Sequence, residues 1–216
     1  MSIKVFLADD HKILRESLII LLQQESDIEV IGEADDGHKA YQDILRLKPD
    51  IAILDISLPK LNGLEVAARL KKDDPAIKII ILTMHKNEDF VARAYQLEVN
   101  GYVLKENALE ELLKSIRIVQ AGGIYLSSDI TSTVVAGFVA NYSHREGKRK
   151  NELISSRERE ILQLLAEGNS NKDIAQLLNL SLKTVETHRS NIMHKLGLKS
   201  ITDLVLYAVR NHIIEP

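Results

Sequence analysis

The first 121 residues alternate between short apolar runs and amphipathic segments, and this alternation restricts the possible fold more than any other feature. The apolar runs carry apolar side chains at nearly every position, which is typical of strands buried on both faces of a parallel sheet. They are Ile3 to Ala8, Ile28 to Ala34, Ile51 to Leu54, Ile77 to Leu82 and Gly101 to Leu104. The intervening segments place apolar residues at three- and four-residue steps, as helices do. The pattern predicts an α/β domain over residues 1–121 with a doubly wound, five-stranded parallel sheet.

The segment that begins at Gly122-Gly123 breaks this alternation and indicates a linker. A short helix is predicted at about Ser128 to Ala140. The run from His144 to Glu152 is basic and has almost no apolar content, as mobile linkers do. We therefore assign residues 122–152 to a linker and residues 153–216 to a second domain.

The second domain has only helical patterns. Ser155 and Glu158 form a capping box at the start of its first helix. Glycines that suit helix ends and serines that suit helix starts mark the remaining boundaries. They are Gly168, Ser170, Ser181 and Gly197, and a last helix follows from about Ile201 to Asn211. Four short helices with tight connections predict an all-α bundle.

The composition of the 216-residue chain excludes several kinds of site and segment. It contains no cysteine, so disulfides and thiolate metal sites are excluded. No apolar run approaches the length needed to span a bilayer, and the amino-terminal residues lack the pattern of a secretory signal, so we expect a cytoplasmic protein that does not enter membranes. The net charge of −3 does not indicate nucleic-acid binding, and any such role must rest on a local element.

Acidic residues follow two of the predicted strands. Asp9 and Asp10 follow the first strand, and Asp55 follows the third. Because these strand ends are neighbours in a doubly wound fold, three carboxylates should meet in one crevice, where a hard cation such as Mg²⁺ would offset their repulsion. Thr83 and Lys105 come at the ends of the fourth and fifth strands and add a hydroxyl and an ammonium. An Asp nucleophile, Mg²⁺, Lys and Thr are the groups that phosphoryl transfer needs.

These five residues resemble the signature positions of response regulator receiver domains. The run from Leu54 to Pro59, with Asn62-Gly63, looks like the phosphorylation loop of that family. The resemblance implies that Asp55 accepts a phosphoryl group from a sensor histidine kinase. It further implies that Asp9 and Asp10 hold Mg²⁺ together with Asp55 and the main-chain oxygen of Ser57. The chain would then be no enzyme beyond its own aspartyl phosphorylation and dephosphorylation.

The resemblance also assigns a switch. Lys105 would pair with the phosphoryl oxygens, Thr83 would move toward them and Tyr102 would turn inward, although Tyr102 as a merely packed aromatic is the alternative. His11 and His85 are interpreted as rim residues rather than ligands. Many receivers have proline after the lysine, but this chain has Glu106. A non-proline cis bond costs roughly 3 kcal/mol, so we expect either a trans bond with a shifted loop or a strained cis bond.

The helix from Leu182 to about Leu196 has a polar face. Val185, Ile192 and Leu196 form its buried stripe. A surface of hydroxyls, amides and cations suits the major groove of double-stranded DNA. The predicted DNA-binding residues are Lys183, Thr184, Glu186, Thr187, His188, Ser190, Asn191 and Lys195. Among them, Thr184, His188 and Lys195 are predicted to contact phosphates, and Glu186, Thr187 and Ser190 to read bases.

Two of these predictions have alternatives. Glu186 either accepts a hydrogen bond from cytosine or only favours the helix N-terminus. His188 either contacts DNA or packs in the core.

The segment from Ile154 to Ser200 resembles the LuxR-type helix-turn-helix, through Ser156 to Glu160, Gly168 to Ala175, Thr184 to His188 and Lys195 to Gly197. With the receiver it is similar to the NarL/FixJ subfamily. That resemblance implies a transcription factor whose phosphorylation releases the helix-turn-helix. It also implies a homodimer on an inverted-repeat operator, with an interface on the last helix formed by Ile201, Leu204, Val205 and Ala208.

Two other functions fit the residues less well. A Mg²⁺-dependent phosphatase with an aspartyl intermediate needs a second acid two residues after the nucleophile, and Ser57 cannot serve there. A regulator whose helical domain binds a protein would present apolar anchors rather than a polar face.

Overall fold

The computed structural model describes residues 2–86, 88–131 and 154–214. The chain forms two compact units, a sheet-containing unit and a helical unit. Within the described residues, no helix has both the length and the apolar surface needed to cross a membrane.

The first unit contains a parallel sheet of six strands in the order β2-β1-β3-β4-β5-β6. Its strands are β1 (Ile3–Ala8), β2 (Ile28–Ala34), β3 (Ile51–Leu54), β4 (Lys78–Thr83), β5 (Gly101–Leu104) and β6 (Tyr125–Leu126). Every residue of β3 and β5 is buried. Such wholly apolar strands form because both faces of the sheet are covered.

Five helices connect and cover the strands. They are α1 (Lys12–Gln23), α2 (Gly37–Leu47), α3 (Gly63–Asp73), α4 (Glu88–Gln96) and α5 (Ala108–Gln120). One core cluster joins Leu18 and Leu22 of α1 to Leu112 and Ile116 of α5. Strands β1, β3 and β4 also contribute residues to this cluster. The alternation of strands and helices in the sequence therefore produces the parallel α/β arrangement.

The sixth strand corrects the five-stranded prediction. After α5, Gly122 adopts a φ of +86°, and the chain returns to pair Tyr125 with Gly101 and Leu126 with Tyr102. A left-handed φ of this kind suits glycine because it has no Cβ. Two residues are too few to show a strand pattern, and residues 125–126 lie in the segment that we assigned to the linker. The predicted fourth strand is also displaced by one residue, since β4 begins at Lys78 and ends at Thr83.

The segment after β6 is described only in part. Residues 128–131 are helical. The remainder of the helix predicted to Ala140, and the basic run from His144, lie outside the described residues.

The second unit contains α6 (Ser156–Ala166), α7 (Asn171–Leu177), α8 (Leu182–Leu196) and α9 (Ile201–Arg210). The predicted caps are confirmed: the side chains of Ser155, Ser170 and Ser181 each accept a hydrogen bond from a main-chain N–H three residues on. Each such cap stabilises a helix by about 1 kcal/mol. A single core cluster includes Ile161, Ile174, Val185, Ile192 and Leu204.

Candidate functional site

The parallel pairing of β1 and β3 brings the acidic residues together. Ala8 and Leu54 are paired at the carboxyl ends of these strands, and the main-chain N–H of Asp55 donates to Ala8 O at 2.9 Å. Asp9 and Asp55 therefore lie side by side, and both are buried. Ligand atoms of Asp9, Asp10, His11 and Asp55 all lie within 4.8 Å of one another. This set of four residues is called the acidic cluster below.

Lys105 supplies the positive charge of the acidic cluster. Its Nζ lies 2.7 Å from Asp55 Oδ2 and 2.9 Å from Asp9 Oδ2, and its side chain is only 4% exposed. Burial lowers the pKa of Lys105, but the carboxylates of Asp55 and Asp9 outweigh burial and raise that pKa above its ordinary value. The lysine is therefore charged, and it bridges the two buried carboxylates.

Asp55 is the acid whose ionisation the site disfavours. Burial, with the negative charges of Asp9 and Asp10, raises its pKa from 3.8 to about 6, although Lys105 acts in the opposite direction. A buried carboxylate among like charges gains most from additional positive charge. The arrangement thus suits a nucleophile that works beside cations.

Glycine is required where α3 begins behind Asp55. A Cβ built on Gly63 would lie 1.8 Å from the main-chain oxygen of Asp55, far inside van der Waals contact. Gly63 N also donates to Ile56 O at 2.9 Å. The loop that carries Asp55 therefore packs directly on the backbone of Gly63.

Thr83 and Tyr102 both bond to the main chain of residue 85. Thr83 Oγ1 accepts from His85 N at 3.2 Å, and Tyr102 OH donates to His85 O at 2.9 Å. Tyr102 is 1% exposed, so its ring lies inside the unit. Burial raises the pKa of the phenol, and the charge of Asp55 adds to this effect. Thr83 and Tyr102, both predicted switch residues, therefore both form hydrogen bonds with the main chain of residue 85.

The ring of His85 faces Ser57 rather than the carboxylates. Its Nε2 lies 3.0 Å from Ser57 Oγ, and the ring packs against Phe90 with centroids 5.0 Å apart. This placement agrees with a rim position. His11 differs, because its Nδ1 lies 2.8 Å from Asp10 Oδ1 and 3.3 Å from Asp9 Oδ1.

Sequence reasoning missed the residue that anchors the loop carrying the acids. Arg15, on α1, donates through Nη1 to the main-chain oxygen of Asp9 and pairs through Nε with Glu33 Oε2 at 2.7 Å. Its side chain is 11% exposed. A cation one helical turn after the acidic pair was the available signal.

Glu106 stands where many receivers have proline, and its side chain takes part in an ion-pair network. Lys86 Nζ lies 2.9 Å from Glu106 Oε2 and 3.3 Å from Asp129 Oδ2. The described residues contain no cis peptide bond, so the bond from Lys105 to Glu106 is trans. Lys105 then begins a short 3-10 turn, Lys105–Asn107, rather than a prolyl bend.

In the second unit, α8 exposes most of the predicted DNA-binding residues. Val185 and Ile192 are buried as predicted. The exposed members are Lys183, Glu186, Thr187, Ser190, Asn191 and Lys195, while Thr184 and His188 are half-buried. The hydroxyl of Thr184 lies 2.8 Å from Ser181 Oγ at the helix cap.

Two of the predicted phosphate contacts already take part in the unit's own packing. Lys195 Nζ donates to Glu158 Oε1 at 2.8 Å and to Glu158 Oε2 at 2.7 Å. His188 Nδ1 is buried and has no hydrogen-bond partner among the described residues. That burial agrees with the alternative that the ring of His188 packs inward.

The four residues predicted for a dimer interface divide into two pairs. Leu204 and Ala208 have no exposed surface and belong to the core of their own unit. In this conformation they are not available to a second chain, because α9 turns them toward α6. Ile201 is 43% exposed and Val205 is half-buried. Leu206, at 47% exposed, is an apolar surface residue that the sequence did not single out.

The comparisons with known proteins cover both units. Residues 5–117 match the response regulator receiver domain, and residues 152–208 match the bacterial regulatory proteins of the luxR family. The oxygen regulatory protein NreC of Staphylococcus aureus (strain MRSA252) is 38% identical over 215 residues, which cover 98% of this chain and 99% of that protein.

Solved structures of response regulators are also similar. The Salmonella typhimurium RcsB response regulator superposes with a TM-score of 0.63 at 28% identity, over 95% of this chain and 96% of that one. A structure described as the two-component response regulator RcsB-DNA complex gives a TM-score of 0.59 at 27% identity, over 96% of this chain and 98% of that one.

Proposed function

Because the chain belongs to the response regulators that join a receiver domain to a LuxR-type DNA-binding domain, and is a two-component transcriptional regulator, we propose that phosphorylation of Asp55 controls its binding to DNA. The observation that carries this proposal is the buried Asp55 carboxylate, held 2.7 Å from the ammonium of Lys105 at the end of β3. The partners are then a sensor histidine kinase and double-stranded DNA.

Asp55 is the phosphoryl acceptor. One of its carboxylate oxygens attacks the phosphorus of a phosphohistidine on the kinase, the P–N bond breaks, and the imidazole leaves with the bonding pair. Lys105, already bridging Asp55 and Asp9, stays close enough to pair with the phosphoryl oxygens. Buried positive charge of this kind stabilises charge that develops in the transition state.

The acidic cluster fits a divalent cation. Asp9 and Asp55 are both buried, and the one ammonium of Lys105, 2.9 Å and 2.7 Å from their Oδ2 atoms, does not balance the carboxylates of Asp9, Asp10 and Asp55. Carboxylate and main-chain oxygens are the ligands that Mg²⁺ prefers. Asp9, Asp10, Asp55 and the main-chain oxygen of Ser57 would hold the ion. When bound, Mg²⁺ supplies positive charge that neutralises the phosphoryl oxygens.

The conformational switch acts through the main chain of residue 85. Once Asp55 carries a phosphoryl group, the Thr83 hydroxyl donates to it and draws the end of β4 inward. His85 moves with Thr83, because Thr83 Oγ1 and Tyr102 OH both bond to its main chain. Tyr102 then keeps the displaced segment against the interior.

DNA is recognised by α8. The exposed side chains of Lys183, Thr187, Ser190 and Asn191 form its polar surface. Side chains on such a helix contact base edges and phosphates when the helix lies in the major groove. Glu186 is exposed beside them and can accept from cytosine N4.

Phosphorylation releases the helix-turn-helix and favours a homodimer. Ile201 and Val205 lie one turn apart on α9 and offer apolar surface to a second copy. A two-fold dimer binds an inverted repeat with half-sites about one DNA turn apart. The solved RcsB-DNA complex supports DNA binding by this architecture.

The test is a selection of DNA duplexes from a random pool with the full-length protein. It is run with and without Mg²⁺ and a small-molecule phosphodonor, for the wild type and Asp55→Asn. We expect enrichment of one inverted repeat, strengthened by the donor only in the wild type. Enrichment that ignores the donor would refute phosphorylation control. No enrichment in any arm would refute DNA binding and favour a protein partner for α8.

A further inference from the structure

His11 places a nitrogen atom among the carboxylates of the acidic cluster. Its Nδ1 lies 2.8 Å from Asp10 Oδ1, 3.3 Å from Asp9 Oδ1 and 3.3 Å from Lys105 Nζ. Nδ1 is one of the four potential ligand atoms of the acidic cluster that lie within 4.8 Å of one another. The ring nitrogen therefore lies where a ligand of a cation would be.

The main chain fixes this position. His11 N donates to Asp9 Oδ1 at 2.8 Å, and His11 is the N-cap residue of α1. N-cap positions favour Ser, Thr, Asp and Asn, whose side chains accept from the helix. His11 makes no such side-chain hydrogen bond. Its ring does not cap the helix and instead faces the acids.

Accessibility permits the ring to adjust. The side chain of His11 is 51% exposed and that of Asp10 is 32% exposed, whereas that of Asp9 is fully buried. The carboxylates of Asp9 and Asp55 are therefore buried in the cluster, and Asp10 and His11 lie on its solvent-exposed side. An ion that enters from solvent therefore meets Asp10 and His11 first.

The donor set differs from three carboxylates alone. Carboxylate and carbonyl oxygens suit Mg²⁺, Ca²⁺ and Mn²⁺, whereas imidazole nitrogen suits Fe²⁺, Ni²⁺ and Zn²⁺. One imidazole among several oxygens raises affinity for the second group without excluding the first. We propose that His11 Nδ1 is a ligand of the divalent cation, so that this site binds imidazole-preferring transition ions more tightly, relative to Mg²⁺, than carboxylates alone would.

This inference rests on the metal site of the proposed function, and two readouts separate them. The first is isothermal titration of full-length protein with Mg²⁺ and with Ni²⁺. His11→Gln should leave Mg²⁺ affinity within about twofold, because an amide oxygen remains, and should weaken Ni²⁺ binding by roughly tenfold or more. The matched control is His194→Gln, at an exposed position of the second unit, which should leave both affinities unchanged.

The second readout detects the nitrogen directly. Pulsed electron paramagnetic resonance of bound Mn²⁺ should show coupling to an imidazole ¹⁴N in the wild type and in His194→Gln, and no such coupling in His11→Gln. Far-ultraviolet circular dichroism checks that each variant is folded, and His11→Ala replaces His11→Gln if that protein is not.

Three results would overturn the inference. They are Mn²⁺ binding without ¹⁴N coupling, ¹⁴N coupling that survives in His11→Gln, and Mg²⁺ and Ni²⁺ affinities that fall equally in that variant. The first leaves the proposed function intact. Failure of the wild type to bind either ion would instead overturn the metal site itself, and the role of His11 with it.

Discussion

Lys195 donates hydrogen bonds to both carboxylate oxygens of Glu158, at 2.8 Å and 2.7 Å. Glu158 also accepts from Ser155 N at 2.8 Å, so one carboxylate caps α6 and holds the last turn of α8. Burial raises the pKa of Glu158, but hydrogen bonds from Lys195 and Ser155 outweigh it, and the pKa lies below its ordinary value. The pair therefore ties the predicted recognition helix to the first helix of its unit.

A double-mutant cycle should detect this coupling. Lys195→Met and Glu158→Gln each remove the ion pair, and glutamine keeps an oxygen for the cap. We expect a coupling free energy of about 1 kcal/mol, since the lysine is partly exposed. The measurement is urea unfolding followed by NMR signals of residues 154–214. A coupling energy near zero would show that the ion pair does not stabilise the unit.

The same lysine should differ from Lys183 in DNA binding. Removing one lysine that neutralises a DNA phosphate reduces the slope of log affinity against log salt by about 0.9. Lys183 is exposed on the polar face of α8, and Lys195 is held by Glu158. We expect Lys183→Met to reduce the slope by about one phosphate and Lys195→Met to leave it unchanged, in fluorescence anisotropy titrations. A reduced slope in Lys195→Met would show that Lys195 contacts a phosphate, as the sequence predicts.

Asp55→Asn should stabilise the metal-free protein at neutral pH. The folded pKa of Asp55 is about 6 and its ordinary value is 3.8. Below about pH 3 the carboxyl is protonated in both states and has no effect. As the pH rises from 4 to 6 the unfolded carboxyl ionises first, which destabilises the fold. Two pKa units at 1.36 kcal/mol each give a difference of about 3 kcal/mol above pH 6.

Urea unfolding in EDTA from pH 4 to pH 8 checks this sign. The variant should gain stability over the wild type only as the pH rises. The control is Asp35→Asn, whose side chain is 62% exposed and should show little difference. Equal unfolding free energies for Asp55→Asn and the wild type at every pH would contradict the raised pKa.

Tyr102→Phe should weaken the response to phosphorylation. It removes the hydrogen bond from the phenol to His85 O, which costs about 1 kcal/mol of stability. We expect a smaller gain in DNA affinity on adding the phosphodonor, with unchanged labelling of Asp55. Tyr41→Phe, which removes a hydrogen bond to Asp73 on another face, is the matched control. An undiminished gain in Tyr102→Phe would leave the ring as packing only.

Much of the site was predictable because strand order fixes which strand ends are neighbours. Asp9, Asp55, Thr83 and Lys105 each follow or end a strand, so a parallel sheet places them on one edge whatever the helices do. The helix caps were predictable for a similar reason: Ser155 and Ser170 act within one turn of chain.

The amino-acid sequence by itself determined the alternation of strands and helices, the acidic edge and the polar face of α8. Only the tertiary structure decided that β6 extends the sheet, that His11 faces the acids, that Lys195 pairs with Glu158 and that Leu204 and Ala208 are buried. The first group depends on local periodicity and on strand order. The second depends on where helices cross and which rotamer a long side chain adopts, and no spacing in the sequence records either.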